Sequence, residues 1–536
     1  MKTKHKLSVK KNNFKLFKHI LIIIAFIEGG SVMVCELLGA KLISPYFGSS
    51  LYVWASVLAV TLGGLASGYY TGGYFSKKYE NTSLLFYILL LAGFFMFIMP
   101  FSSKFILEHT INLDVRTGSI ISLLLYLFPP LLFFGMTSPI IINILTETRD
   151  SSGKSAGTVY SISTIGGIFT TLFTGFYIFP EFGISKPAFF TGGFIIFISL
   201  IYFIYKKKYF VLLILLIILF IYNRNKKSLI KSNKSFRVLY QSEGILGQLK
   251  IIDHMYYSNY KGWRLSRALL VNNVGQTITD LKHPEFSMWD YPFFVLNATS
   301  IYPPESDVLL LGFGGGTMYK QFKRQKFNVD AVELDKRIKD IAIKYFGLNP
   351  DINVFVDDAR HYIRTINKKY DIIMYDLLLG ENPPAHLLTV ECFEEVKKIL
   401  KPDGILIINF SGYITGKMGK ASRAIYKTLE YCGFKTDIIA THPTNESIRN
   451  LIFLASEKKL DFTKINYTEP DMPKINNLEK YFLNISKYNL SDAVILKDDA
   501  IPGFEKIYTN VAVEWKKGWN DFYTKKFIKK DIPVFE

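Results

Sequence analysis

Four short segments of this 536-residue chain hold residues suited to binding and activating a small charged ligand. The first is Gly312-Phe313-Gly314-Gly315-Gly316-Thr317. Glycines at Gly312, Gly314 and Gly316 let the backbone approach a ligand at the start of a helix. The second is Glu333, about 20 residues further on, a spacing that suits a carboxylate gripping ribose hydroxyls. The third is Asp357-Asp358-Ala359-Arg360, and the fourth is Asp376, which follows the apolar run Tyr370–Tyr375. Asp357 taken alone reads as an ordinary polar residue capping a helix or turn. The ordered set points instead to a nucleotide-like site, although spacing alone does not separate a dinucleotide from an adenosyl-sulfonium compound.

These residues need a sheet to hold them on one rim. Apolar runs at Asp307–Gly312, Asn328–Leu334, Asn353–Val356, Tyr370–Tyr375 and Gly404–Asn409 predict five strands. Thr317–Lys326 and Asp335–Phe346 predict two of the helices between them. That alternation predicts an α/β domain with a parallel sheet, whose ligands bind beyond the carboxyl ends of the strands. Before it, Gln248–Ile252 and Ala268–Val271 predict a small β-rich lobe.

The first half of the chain is different. Apolar residues make up 49% of the whole and aromatics 15%, which excludes a disordered chain. Seven apolar stretches stand out: Ile20–Gly39, Tyr52–Tyr74, Leu84–Pro100, Ser119–Ile144, Gly157–Phe179, Ala188–Tyr205 and Phe210–Tyr222. Most are long enough to span a bilayer, which takes about 20 residues, but the last is too short. Glu28 and Glu36 interrupt the first stretch, which therefore does not read as a cleaved signal peptide. Intramembrane carboxylates are costly, so both are candidate functional residues; the competing reading pairs them with Lys41 or a tyrosine. The small residues of Gly63–Gly68 and Thr71–Gly73 read as helix packing.

Residues 1–240 carry 24 Lys+Arg against 8 Asp+Glu, and the remainder 40 against 37. The basicity belongs to the membrane half, where it faces anionic lipid, so the lipid bilayer is an expected partner and nucleic acid is not. Seven lysines before residue 19 place the N-terminus in the cytoplasm. Seven crossings would then leave the later domain outside, in conflict with the basic flank at Arg224, Lys226, Lys227, Lys231, Lys234 and Arg237. A cytoplasmic second half needs an even number of crossings, and the short last stretch is the suspect. The lysines Lys516, Lys517, Lys525, Lys526, Lys529 and Lys530 read as a solvated or membrane-facing surface. Three distant cysteines (Cys35, Cys392, Cys432) exclude a disulfide framework, and no zinc-ligand or nucleophile-elbow motif is present, so no metal is expected. The expected division is a basic N-terminus (1–19), a transmembrane domain of six or seven helices (20–222), a basic linker (223–235), the β-rich lobe (236–304), the α/β domain (305–455) and a C-terminal extension (456–536).

The stretch from about Leu270 to Asn409 resembles the spermidine synthase family of aminopropyltransferases. The matching pieces are VNNVGQ, VLLLGFGGG, VELD, DDAR, YDIIMYD and LKPDGIL. The membrane-bound bacterial form resembles this chain further, through Cys35–Gly73, the P-x-H-L-x-T-x-E segment Pro384–Glu391 and the tail LKDDAIPGFE (Leu496–Glu505). The resemblance implies an N-terminal α-helical transmembrane bundle joined to a C-terminal Rossmann-like domain of the AdoMet-dependent methyltransferase type. It implies a protein of the bacterial inner membrane, with decarboxylated AdoMet or AdoMet as co-substrate and a small amine or polyamine as acceptor. Carried over by position, Glu333 would hold the ribose and Asp358 the adenine. Gly312, Gly314, Gly316 and Gln276 would surround the methionine-derived portion. Asp376 would deprotonate and orient the attacking amine, because a protonated amine is no nucleophile.

Three departures bear on the acceptor. The family's acid within the glycine loop is Gly315 here, and its second acid after Asp376 is Leu379. The acid-rich upstream segment is reduced to Trp289-Asp290-Tyr291-Pro292, which leaves Asp290 and Tyr291 as acceptor-binding candidates. His386 is a candidate catalytic replacement, with helix entry as its plainer reading, while Glu391, Asp498 and Asp499 are further acceptor-binding candidates. The expectation is an aminopropyl transferase. An AdoMet methyltransferase is the alternative, as is a catalytically degenerate polyamine or nucleoside sensor coupled to a transport-like membrane domain. A homodimer is left open.

Overall fold

The computed structural model describes residues 2–48, 51–78, 82–110, 113–146, 148, 151–226, 236–244, 246–258, 260–377, 383–441 and 448–527. Leu379, Lys529, Lys530 and most of the basic linker lie outside them. The chain forms two compact units, chiefly Met1–Leu229 and Gln248–Lys530.

The first unit is all helical: α1 (Lys2–Phe47), α2 (Leu51–Lys78), α3 (Thr82–Thr110), α4 (Val115–Tyr126), α5 (Phe128–Leu145), α6 (Ser152–Phe173), α7 (Phe179–Phe182), α8 (Ser185–Tyr205) and α9 (Leu213–Lys226). Six segments among the described residues are long and apolar enough to cross a membrane: Leu16–Phe47, Tyr52–Lys78, Thr82–Thr110, Phe128–Leu145, Ser152–Ile178 and Ser185–Tyr205. The apolar stretch expected as one element over Ser119–Ile144 is two helices, α4 and α5. Pro129 and Pro130 stand in the first turn of α5 and have no N–H to donate back to α4, so the helix must restart there. Tight packing explains part of the small-residue run. A Cβ on Gly68 would lie 2.4 Å from the carbonyl of Leu132, so α2 and α5 meet backbone to backbone at this point.

The second unit opens with β1 (Phe236–Gly244), β2 (Gly247–Ser258), β3 (Gly262–Val271) and β4 (Val274–Asp280), a four-stranded sheet in that order with antiparallel β2–β3 and β3–β4 pairs. Then come α10 (Tyr291–Thr299), β5 (Asp307–Leu311), α11 (Thr317–Arg324), β6 (Asn328–Glu333), α12 (Lys336–Phe346), β7 (Val354–Val356), α13 (Ala359–Thr365) and β8 (Tyr370–Tyr375). The unit closes with α14 (Val390–Ile399), β9 (Leu400–Gly412), α15 (Lys420–Tyr431), β10 (Lys435–Ala440), β11 (Arg449–Ser456) and α16 (Ile501–Phe527).

The large sheet has the order β10-β11-β9-β8-β5-β6-β7. Its strands β5 to β9 are parallel, and β11 runs antiparallel between β9 and β10. Strand order reverses between β5 and β8, the crevice where such sheets bind ligands. This is the Rossmann-like architecture of methyltransferase type. Alternate residues of β5 serve two cores. Leu309 and Leu311 pack with α13–α16, and Val308 and Leu310 with α10–α12. The five predicted strands are all present, and β9 is longer than expected because it starts directly at the end of α14.

Candidate active site

The loop between β5 and α11 turns through three left-handed glycines, with φ of 90° at Gly312, 52° at Gly314 and 74° at Gly316. At Gly312 an added Cβ would stand 2.2 Å from the carbonyl oxygen of Asp376, so the ends of β5 and β8 approach as only glycine permits. Gly315 is enclosed for another reason. Its N–H donates to Thr277 Oγ1 (2.8 Å), and a Cβ there would meet Thr277 Cγ2 at 2.8 Å and the Phe346 ring at 3.0 Å. Thr277, on β4, fills the space that an acidic side chain at position 315 would need.

Glu333 ends β6 against this loop. Its Oε2 accepts from the N–H of Phe313 (3.1 Å) and its Oε1 from the N–H of Asp335 (3.0 Å). Enclosure by protein raises its pKa, while those backbone donors act the other way. Asp358 is the N-cap of α13. Its Oδ1 accepts from the N–H groups of Arg360 (2.9 Å) and His361 (3.1 Å), and its Oδ2 lies 3.6 Å from His386 Nε2. The neighbouring Asp357 turns to His361 Nδ1, 2.7 Å away.

Asp376 follows β8 at a cavity of about 290 Å³. Its two oxygens are fixed separately: Tyr291 donates its hydroxyl to Oδ2 (2.8 Å) and Asn409 its Nδ2 to Oδ1 (2.8 Å). Asn450 in turn donates to Asn409 Oδ1 (2.8 Å), which fixes the orientation of that amide. Surrounding protein raises the Asp376 pKa above the ordinary carboxylate value, and the Asn409 and Tyr291 bonds partly counter it. Gln276 and Asp290 line the same cavity.

His386, Glu391, Asp498 and Asp499 do not line this cavity among the described residues. His386, Glu391 and Asp498 belong to one hydrogen-bonded cluster with Arg360, which is 7% exposed. Asp498 takes both Arg360 Nη atoms at 2.7 Å and also accepts from Thr389 Oγ1 (2.7 Å). Glu391 accepts from the N–H of Asp498 (3.0 Å), and the His386 carbonyl accepts from Arg360 (3.0 Å). Asp498 therefore clamps the tail to the segment before α14 instead of facing an acceptor, because the guanidinium is the stronger partner. Asp499 is exposed. In the helical unit Glu28 is buried and accepts from the hydroxyls of Ser163 (2.9 Å) and Ser138 (3.3 Å), hydroxyl partners instead of the Lys41 or tyrosine of the plainer reading, while Glu36 is half-buried.

Sequence reasoning missed Asn409, Asn450 and Arg360 as site residues. It also read the lysine-rich tail as a solvated or lipid-facing surface. Lys516 is 3% exposed and donates to the carbonyl of Asn272, and α16 turns Trp515 and Trp519 into the cavity.

Residues 298–460 match the spermine/spermidine synthase domain. A polyamine aminopropyltransferase of Vibrio vulnificus is 33% identical over 142 residues, 25% of this chain and 47% of that protein. An N-terminal histidine N-methyltransferase of Emericella nidulans is 25% identical over 201 residues, 35% of this chain and 36% of that one. The spermidine synthase structure from Thermotoga maritima covers 51% of this chain and 87% of its own at 17% identity, with a TM-score of 0.31. The chain thus spans about half or less of the length of these two sequence relatives. Residues 298–460 of its sheet-containing unit are spermidine-synthase-like.

Proposed function

We propose that the protein transfers an aminopropyl group from decarboxylated AdoMet to an amine acceptor. The left-handed glycine loop, a Glu at the end of β6 and a capping Asp on α13 fit an adenosyl-sulfonium donor. Glu333 would hold the ribose, Asp358 the adenine edge, and Gln276 with the loop the aminopropyl arm. When bound, that donor supplies a carbon activated by the adjacent positive sulfur. Asp376 receives the proton of the acceptor ammonium and aims its nitrogen, while Tyr291 and Asn409 hold the carboxylate in one orientation. The observation that carries this reading is Asp376, with both oxygens tethered at the edge of a cavity that Gln276 shares. The test incubates full-length protein with decarboxylated AdoMet and an amine panel. Release of methylthioadenosine with a heavier amine supports it, and failure to bind or consume either donor overturns it.

A second reading, methyl transfer from AdoMet, is favoured by Gly315. With Thr277 in the place of the loop acid, no carboxylate there selects the decarboxylated, more cationic donor. Adenosylhomocysteine as the product would establish it. For topology we propose six crossings from a cytoplasmic N-terminus, leaving the enzyme domain in the cytoplasm, where such donors are made. A reporter fused at the C-terminus reads as internal, and an external signal overturns the assignment.

A further inference from the structure

We infer that the acceptor is an arylalkyl monoamine, with one ammonium and a flat apolar body bearing a ring oxygen, and not a linear polyamine; this rests on the transferase reading above. The walls of the cavity are the basis. Among the described residues six rings line it, those of Tyr256, Tyr257, Trp289, Tyr291, Trp515 and Trp519. Four of them form a continuous series of contacts: Trp515 to Trp519 at 5.7 Å between centroids, Trp519 to Trp289 at 6.3 Å, and Trp289 to Tyr291 at 6.1 Å. That series ends on Asp376, because Tyr291 donates to it. An acceptor therefore meets π faces along its body and a carboxylate at its reacting nitrogen, while the charges of Asp290 and Arg449, which also line the cavity, offset each other, so that the described lining carries one net negative charge.

A linear polyamine carries further ammonium groups, each of which needs an anionic partner once water is removed. A flat apolar body stacks on such walls without that cost. Two details define the fit. Glycine at position 275 seats the Trp519 indole, since a Cβ there would stand 2.7 Å from the ring. The buried Nε1–H of Trp515 has no hydrogen-bond partner among the described residues, and it suits an oxygen carried on the acceptor's ring. In the transfer a C–N bond forms as the C–S bond breaks. The bonding pair goes to sulfur as a neutral thioether, and the ammonium proton goes to Asp376.

The test uses full-length protein in detergent with decarboxylated AdoMet and four amines: 4-hydroxyphenethylamine, phenethylamine, 1,4-diaminobutane and spermidine. The hydroxylated arylamine is expected to exceed 1,4-diaminobutane in kcat/KM by about tenfold or more, with phenethylamine between them. Trp519→Ala is expected to lower the arylamine value by about 10- to 100-fold while donor affinity stays within about twofold. Trp519→Phe, the variant kept in case the alanine fails to fold, is expected to restore part of the arylamine value. Gly275→Ala, which displaces the indole without removing it, lowers the same value. A preference for either polyamine overturns the inference and leaves the transferase reading standing. So does an equal loss for arylamine and diamine in Trp519→Ala. If no amine is consumed, the transferase reading falls. Tryptophan-fluorescence quenching by 4-hydroxyphenethylamine then decides the cavity's preference, and absence of quenching overturns it as well.

Discussion

Replacing Asp376 by Asn tests the chemistry with little change of shape. The wild-type carboxylate has two fixed neighbours, Asn409 Nδ2 and the Tyr291 hydroxyl, both at 2.8 Å. In Asp376→Asn the amide oxygen keeps the Asn409 bond, and the amide NH₂ faces Tyr291, whose hydroxyl can turn to accept. The pocket therefore keeps both contacts and loses a charge. Losing a charge-assisted bond costs about 1–2 kcal/mol, but the pocket already disfavours that charge, so net stability changes by about 1 kcal/mol or less. Activity behaves differently. Loss of a general base costs about 10²–10⁴ in rate, equal to about 3–5 kcal/mol in the barrier. The assay is single-turnover release of methylthioadenosine at saturating donor, beside donor binding by calorimetry and a thermal melt. The expected pattern is a slow enzyme with wild-type donor affinity and nearly unchanged Tm. A variant at full speed, or one that loses donor affinity by more than about tenfold, would refute the assignment of Asp376 to proton removal.

Tyr291→Phe removes one of the two donors that lower the Asp376 pKa, so that pKa rises further. Since the base works only when deprotonated, the acidic limb of the pH–rate profile should move to higher pH, and an unmoved limb would contradict the Tyr291–Asp376 bond. Glu333→Gln places an NH₂ against backbone N–H groups among those of Phe313, Gly314 and Asp335 that the carboxylate now accepts, and should weaken donor binding by about 1–3 kcal/mol with the chemical step at saturation unchanged. Gly315→Asp drives a Cβ into Thr277 and Phe346 and should cost about 1–3 kcal/mol, read as a lower thermal midpoint. Adding Thr277→Ala, which clears the methyl at 2.8 Å, should recover part of that loss.

The legible part of the fold is the part with local signals. Strands β5 and β8 are apolar runs that end at a glycine or an acid, and buried parallel strands write themselves that way. The glycine loop and Glu333 could be placed because their spacing reflects one βαβ unit. The edge of the sheet was not visible, since β10 and β11 lie between the LKPDGIL and LKDDAIPGFE segments, where no motif marks them. Asn409 stands at the end of a predicted strand, yet its role depends on Asn450 across an antiparallel pairing that no local pattern announces. Trp515 and Trp519 were hidden for a related reason. They sit beside lysines that dominate the local composition, and helix α16 turns the rings inward while Lys516 is buried against Asn272. His386, Glu391 and Asp498 could be identified as a set, but the partner that organises them, Arg360, was read only as part of a motif.

The anchoring of α16 bears on how the protein is made. Phe504 and Tyr508 pack that helix against the sheet, and the Tyr508 hydroxyl donates to the carbonyl of Ser411 (2.9 Å), so the helix docks only on a finished β9. The roughly 140 residues from Asp376 to Trp519 take about 7–30 s to emerge at 5–20 residues per second. Until its end the nascent chain already holds Gly312–Gly316, Glu333, Asp358 and Trp289, while Trp519 of the cavity wall is missing. Ribosome stalling or early termination in this window therefore yields a chain that carries the glycine loop, Glu333 and Asp358 but lacks Trp515 and Trp519, which ties completion of the cavity beside Asp376 to synthesis of α16.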